Sequence, residues 1–232
     1  MGFSDWIQIE AVGFSGGIWF FWNNSLHITV IHTHPQFLFL QVQGANQELW
    51  FYAVVYGSLT HHLHCRLWAE LSMAKRGITG AWMVAGDFNC ITSQEETNNY
   101  RAFSSQHSSY FVDWIQTEGL VDLGFNGPKY TWIRAGSAGQ TKGARLDREL
   151  CNIGWRQRFP DASITHLPRV LSDHVPLLIH LANGNSHRSH SGFKFQATWL
   201  TSTKLSDLVR HTWRSDQGIQ ENIPRLTEEL HS

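Results

Sequence analysis

The sequence predicts an α/β sandwich, and three observations carry that reading. The first half is built of short apolar runs between turn residues, the pattern of a β-meander. Helical spacing appears only in interspersed segments. Two apolar runs are bounded by polar clusters, Gly86-Asp87-Phe88-Asn89 after one and Ser172-Asp173-His174 before the other. Strands and helices alternating through 232 residues suit layers packed on a sizeable core.

Ile7 to Val12 reads as a strand, Ser15-Gly16-Gly17 as a turn and Ile18 to Trp22 as the returning strand. Asn23-Asn24 turns the chain, and strands follow at Leu26 to His32 and Phe37 to Val42. Gln43-Gly44-Ala45-Asn46 reads as a hairpin turn into a strand at Leu49 to Tyr56. Leu63, Leu67, Leu71 and Ala74 have helical spacing over 63–76, stopped near Gly77. Ala81 to Ala85 is short and wholly apolar, the mark of a buried strand. Residues 92–109 read as a polar loop, and Phe111 to Glu118 as a short helix closed by Gly119. Leu120 to Leu123 leads to a turn at Asn126-Gly127-Pro128, followed by a strand at Tyr130-Thr131-Trp132. Ala135 to Gly143 reads as a Gly/Ser loop, and Ala144 to Leu150 and Val175 to Leu181 as two further apolar segments. The organisation expected is one domain over 1–182, a linker at 183–192 and a partly helical, amphipathic segment over 193–232.

Composition excludes several classes. The net charge is −1, so no global basic field gathers nucleic acid. Charge is unevenly spread, however. No Lys or Arg precedes Arg66, whereas Lys129, Arg134, Lys142, Arg145, Arg148, Arg156, Arg158 and Arg169 crowd one region, a local basic face that can sit on phosphates. Three scattered cysteines, Cys65, Cys90 and Cys151, form no disulfide framework and point to a reducing, intracellular compartment, nuclear or cytoplasmic. The first residues have no basic n-region, so secretion is not expected, and no apolar run is long enough to span a bilayer.

Four stretches carry candidate chemistry. On an extended chain Asp87 and Asn89 share a face, where a carboxylate and an amide can hold a water against a phosphorus centre; an Asx turn is the simpler alternative. Asp173-His174 offers a carboxylate beside an imidazole, the usual kit for proton transfer or phosphate polarisation. Asp147, in Arg145-Leu146-Asp147-Arg148, puts an acid inside an apolar strand, where it needs an imidazole or a metal as partner. Tyr56 ends its strand in Val55-Tyr56-Gly57, where its hydroxyl can donate to a phosphoryl oxygen. His61-His62-Leu63-His64-Cys65 offers metal-ligand types ahead of a helix but not the spacing of a zinc site. His32 and His34 read as facing solvent together, and Trp19, Trp22, Trp82, Trp114 and Trp132 as packing residues.

Taken in order, Val-Tyr-Gly, Gly-Asp-Phe-Asn, Tyr-Thr-Trp, Arg-Leu-Asp and Ser-Asp-His-x-Pro-Leu resemble the exonuclease–endonuclease–phosphatase superfamily, with its two-sheet, four-layer, DNase I-like α/β sandwich. The connecting segments Gly13-Phe14-Ser15-Gly16-Gly17-Ile18, Gly119 to Phe125, Phe159-Pro160-Asp161-Ala162 and His166-Leu167-Pro168-Arg169 resemble the apurinic-endonuclease-like domain of plant LINE-type (non-LTR) retrotransposons. The resemblance covers about residues 1–182, and Phe193-Lys194-Phe195 with Trp199-Leu200 is similar to the segment C-terminal to that domain. It implies hydrolysis of a DNA phosphodiester with Mg²⁺ or Mn²⁺, and neither a membrane nor a small-molecule cofactor. Asp87 would position or deprotonate the attacking water, and Asn89 would orient it and the phosphate. His174 would stabilise charge on the phosphate oxygens, with Asp147 fixing its tautomer. Asp173 would be a metal ligand, Tyr56 would bond the phosphate, and Ser172 would support the loop.

In the family an Asn and a metal-binding Glu precede the region matched here, and Glu10 has the wrong local pattern to replace that Glu. The expectation is therefore a domain truncated at its N-terminus, lacking its first strands, exposing apolar faces and holding metal weakly. Such an enzyme would be degenerate. The alternatives are a catalytically silent nucleic-acid- or phosphate-binding remnant and a phosphomonoesterase of the same superfamily.

Overall fold

In the computed structural model the chain divides into two units, Met1–Asn185 and Ser186–Ser232. The structure describes residues 2–11, 16–44, 48–99, 105–136 and 140–181, and 207, 210–214, 222 and 225 beyond them. The expected linker, most of the expected C-terminal segment, and Gly13-Phe14-Ser15 and Ala45-Asn46 lie outside the described residues. Within the second unit the Asn222 side chain accepts from Arg214 N and donates to Arg214 O, both at 2.9 Å.

The first unit contains β1 (Asp5–Ile9), β2 (Ile18–Trp22), β3 (His27–His34), β4 (Phe37–Gln43), β5 (Leu49–Tyr56), α1 (His61–Lys75), β6 (Trp82–Asp87) and α2 (Ser105–Thr117). There follow β7 (Leu120–Asp122), β8 (Trp132–Ala135), β9 (Thr141–Ala144), β10 (Asp147–Asn152), α3 (Ile153–Arg158), β11 (Ser163–His166) and β12 (Leu177–His180). Six strands form one sheet in the order β3-β4-β5-β6-β10-β7. All its neighbours run antiparallel except β5 and β6, which α1 joins as a parallel pair.

β4 is apolar on both faces because both faces are covered. Phe37 and Phe39 pack with Val55, Val84 and Leu150 beneath Leu67, Trp68 and Leu71 of α1 and Phe111 and Trp114 of α2. On the opposite face Leu38, Leu40 and Val42 meet Ile7, Ile9 and Phe20 of the β1–β2 hairpin. Beside them Met83, Ala85 and Cys151 lie under Trp155, Phe159 and Ile179. The sandwich the sequence predicts is present, its second layer built from the β1–β2 and β11–β12 hairpins.

Several expectations need correction. Both ends of the expected loop Ala135 to Gly143 are strand, β8 pairing β9 from Trp132↔Ala144 to Ala135↔Thr141. Its glycine-rich text hides the pairing because distant groups hold the register: Thr97 Oγ1 donates to Gly143 O, and Asn98 bonds both Thr141 O and Gly143 N. The polar stretch 92–109 holds a 3₁₀ turn at Gln94–Glu96 and the start of α2. α3 is too short to show helical periodicity; its signal is the Asn152 cap, whose side chain accepts from Trp155 N. His62 and His64 lie inside the first turn of α1, and buried His64 bonds Phe88 O at 2.8 Å. His34 turns inward, its Nε2 2.6 Å from Glu70 and its ring against Phe37. Trp19 is 62% exposed, stacked between Trp6 and Phe21 on the outer face of the β1–β2 hairpin.

The basic region divides. Arg145 and Arg148 are buried and share Glu96 and Asp122, with contacts of 2.5–3.3 Å. The two guanidiniums outweigh the burial that would raise both carboxyls, so Glu96 and Asp122 titrate below their usual range. This network ties β7, β10 and the 3₁₀ turn together. Lys129, Arg134, Lys142 and Arg169 remain at the surface.

Glu149 is the exception to this pairing. It is fully buried on β10, and neither carboxylate oxygen has a hydrogen-bond partner. Burial pushes its pKa up to about 8; the Arg145 charge opposes this, and Asp122 and Asp147 add to it. A folded pKa above the unfolded one favours the protonated form, so this group costs nothing at pH 4, and the cost grows until pH passes 8. Glu149→Gln should therefore stabilise the chain by about 3 kcal/mol at pH 9 and by almost nothing at pH 4. Urea unfolding at the two pH values measures the difference, and equal effects at both would mean that Glu149 is not a buried acid.

Candidate active site

The site begins with sheet register. Parallel pairing sets Tyr56 beside Asp87, and antiparallel pairing sets Asp147 on the other side of Asp87. Directly paired residues point to the same face. Three polar side chains thus stand abreast at one end of the sheet, on the face turned toward the second layer.

The fourth group comes from the loop before β12. Trp132 and His174 form a bridge, Val175 N donates to Thr131 O, and Ile133 N donates to Asp173 O, both at 2.8 Å. Thr131 is fully buried, and its Oγ1 accepts from Leu146 N and Asp147 N, each at 2.9 Å. One threonine therefore fixes both the backbone that carries Asp147 and the loop that carries His174. Ser172 Oγ accepts from His174 N at 3.0 Å and closes that loop.

Asp87 and Asn89 meet by a route other than the extended chain. β6 ends at Asp87, and Asn89 has φ +48°, the left-handed region that Asn tolerates. Asn89 N donates to Asp87 Oδ1 at 2.9 Å, which closes an Asx turn, and Asn89 Nδ2 donates to Asp87 Oδ2 at 3.0 Å. Nδ2 also donates to Gly57 O at 2.8 Å, leaving Oδ1 for a ligand. Gly57 N donates to Asp87 O at 2.7 Å, and a Cβ at Gly57 would collide with the Phe88 carbonyl. Glycine is needed for the β5 and β6 ends to lie this close.

His174 sits between the acids. Its Nδ1 bonds Asp147 Oδ2 at 2.8 Å, and its Nε2 lies 3.9 Å from Asp87 Oδ2. Burial lowers the His174 pKa, but the Asp147 hydrogen bond and the charges of Asp147, Asp87 and Asp173 overcome that and raise it to about 9. Burial raises the Asp87 carboxyl well above its ordinary range and Asp147 raises it further, while His174 and Asn89 pull it down. At neutral pH the cluster holds an imidazolium beside a carboxyl poised to take a proton.

Asp87, Asn89, Asp147, His174 and Tyr56 are thus drawn to one end of the sheet. Asp87, Asp147 and His174 can each direct one ligand atom to a common point. Asp173 lies outside that trio, its Oδ2 accepting from Trp132 Nε1 at 3.1 Å, although its charge helps raise the His174 pKa. The carboxylate oxygens of Asp87 and Asp147 suit a hard divalent cation, and Asp147 also bonds His174. Thr131 escapes a reading of the sequence because its Tyr-Thr-Trp setting indicates only a strand. Its signal is a small hydroxyl flanked by two aromatics.

No protein-family model matches the chain, and no curated protein matches it in sequence. Solved structures do. The endonuclease domain of TRAS1, a telomere-specific non-LTR retrotransposon, is similar with a TM-score of 0.57 and 11% identity, over 77% of this chain and 81% of that one. An endonuclease/exonuclease/phosphatase family protein from Leptotrichia buccalis C-1013-b matches at 0.48 and 12%, over 77% and 72%. An AP endonuclease from Archaeoglobus fulgidus gives 0.47 and 14%, over 66% and 70%. The resemblance to the superfamily therefore stands as a likeness of fold, the DNase I-like sandwich.

The His174 pair has a measurable consequence. A folded pKa raised above the unfolded 6.5 contributes stability in full below pH 6.5 and loses it as pH rises through about 9. Relative to His174→Gln, the wild-type chain should lose stability between pH 6 and pH 10, and Asp147→Asn should bring the His174 titration down by more than a unit. Imidazole NMR titration and urea unfolding check this in metal-free buffer.

Proposed function

We propose that this chain, folded like the TRAS1 endonuclease domain, hydrolyses DNA phosphodiesters with a divalent cation, Mg²⁺ or Mn²⁺. The observation that carries the reading is the acid–imidazole–acid array Asp147–His174–Asp87, with contacts of 2.8 and 3.9 Å. An imidazole held by one carboxylate beside a second is a setting for general acid–base chemistry. Asp87 takes the proton of the attacking water, and Asn89 holds Asp87 in place and offers Oδ1 to that water or to the phosphate. Asp147 keeps His174 protonated at Nδ1, which turns Nε2 toward substrate. From there His174 stabilises charge on the non-bridging oxygens, an effect of roughly 10²–10³ in rate. Tyr56 donates to the phosphate, and Ser172 holds the loop. Asp173 is the cation ligand that the family resemblance implies, and Asp87 and Asp147 are the carboxylates grouped for one here; the cation would supply Lewis-acid stabilisation of the phosphoryl oxygens.

DNA as the substrate is supported by charge. Lys129, Arg134, Lys142 and Arg169 are exposed, with no carboxylate partner among the described residues. Arg134 and Lys142 face each other on the β8–β9 hairpin, which joins the site through Trp132. Phosphates are the complement to such a surface. An intracellular retrotransposon enzyme of the LINE type also fits the sequence motifs and three cysteines outside any disulfide. No described helix is long and apolar enough to cross a membrane.

Activity is proposed to be low and the enzyme degenerate. Among the described residues the group that can share a cation has two carboxylates and an imidazole, and Trp132 engages the expected ligand Asp173. That same observation favours the second reading, a silent DNA-binding remnant. Nicking of supercoiled plasmid over a Mg²⁺ and Mn²⁺ titration separates the two. Slow nicking is expected, reduced about a hundredfold or more by His174→Ala or Asp87→Ala. Salt-sensitive DNA binding without nicking at any metal concentration would establish the silent module. Turnover of p-nitrophenyl phosphate in preference to plasmid would replace both with a phosphomonoesterase.

A further inference from the structure

One loop beside the site breaks two rules at once. Leu171 is 106% exposed and has φ +52°, and Val170 before it is 70% exposed. A large apolar side chain gains nothing in water, and the left-handed region costs a residue with a Cβ roughly 1–2 kcal/mol. Neither penalty comes from slack in the loop. Leu167 N donates to Pro176 O at 2.9 Å across its base, and Arg169 Nη1 reaches Ile133 O at 3.3 Å on β8. On the far side Ser172 Oγ takes His174 N, and Asp173 O takes Ile133 N. The backbone is pinned on both sides of a two-residue apolar tip, and the tip stands three residues from His174. Strain and exposure maintained by surrounding bonds point to use at that place.

Charge identifies the occupant. The tip lies next to Arg169, on the loop bonded to β8, and β8 carries Arg134 opposite Lys142. An apolar pair next to one exposed arginine, on a loop bonded to a hairpin that carries two further cations, is suited to a polyanion with an apolar interior. Duplex DNA is such a partner, its bases reached by levering a stacked step apart.

We propose that Val170 and Leu171 form an apolar wedge that enters a base step of duplex DNA flanking the scissile phosphate, opening the step and setting the phosphate against His174. This rests on the DNA reading above and adds to it the residues that choose where on the duplex the site acts. Easily unstacked pyrimidine–purine steps would then be preferred.

The test uses the full chain and a duplex oligonucleotide with 2-aminopurine at a central TA step. Its fluorescence rises when the base unstacks, and anisotropy reports binding. Leu171→Asn removes the apolar tip while placing a residue that tolerates positive φ, so its melting temperature should be no lower than that of the wild type. The wild type should bind and raise the fluorescence. Leu171→Asn should abolish the rise, weaken binding on the order of tenfold and leave the salt dependence unchanged. Lys142→Ala should do the reverse, reducing the salt dependence and keeping the rise. If the wild type binds with the expected salt dependence but without a fluorescence rise, or Leu171→Asn matches it in both readouts, the wedge is overturned and the DNA reading survives. No binding by the wild type would overturn both.

Discussion

Two carboxylates held side by side in a dry sheet end repel each other, and the rest of the site depends on how this chain relieves that. Register leaves no choice about the juxtaposition, since Asp147 pairs with Asp87 across β10 and β6. Only a cation or a proton can make such a pair tolerable. His174 supplies the cation from a separate loop, bonded to one acid and within 4 Å of the other. Against burial, the Asp147 hydrogen bond and the neighbouring carboxylates raise the proton affinity of His174, while burial first and Asp147 second raise that of Asp87.

The arrangement holds because few bonds carry several duties. Thr131 anchors the Asp147 backbone through its hydroxyl and the His174 loop through its carbonyl. Gly57 accepts from Asn89 and donates to Asp87, so the β5 and β6 ends move together. These contacts span residues far apart in sequence, and each orients a group by a backbone hydrogen bond rather than by flexible side-chain packing. Such a framework can hold the side chains of the cluster in a fixed geometry.

The chain also shows where burial works against it. Arg145 and Arg148 enter the interior paired through their terminal nitrogens with two carboxylates, while the Nε of each has no partner among the described residues. Glu149, one residue on, enters with none. Trp6, Trp19 and Phe21 are left outside on a hairpin whose inner face is well packed. The two faces of the described sandwich therefore differ in completeness. The helix-covered face resembles an ordinary domain core, while the hairpin side combines a strained loop, exposed rings and a buried unpaired acid around the candidate site.

The sequence by itself determined the strands of the meander, α1, the buried β6 run and the residue types of the site, because these are local. Period-two and 3.6-residue patterns record burial directly, and Gly86-Asp87-Phe88-Asn89 and Ser172-Asp173-His174 sit where apolar runs stop. How those residues meet was left open. Of the two local readings of Asp87 and Asn89, the Asx turn is the one that forms, with Asn89 left-handed and its amide held by Asp87. The Asp173 side chain meets Trp132 rather than joining Asp87, Asp147 and His174. The β8–β9 hairpin, the division of the basic residues between buried pairs and open surface, and the raised pKa of His174 depend on partners 16 to 52 residues away. Local pattern carries no record of such distances, because the free energy that selects these partners arises only when the layers close and water is excluded.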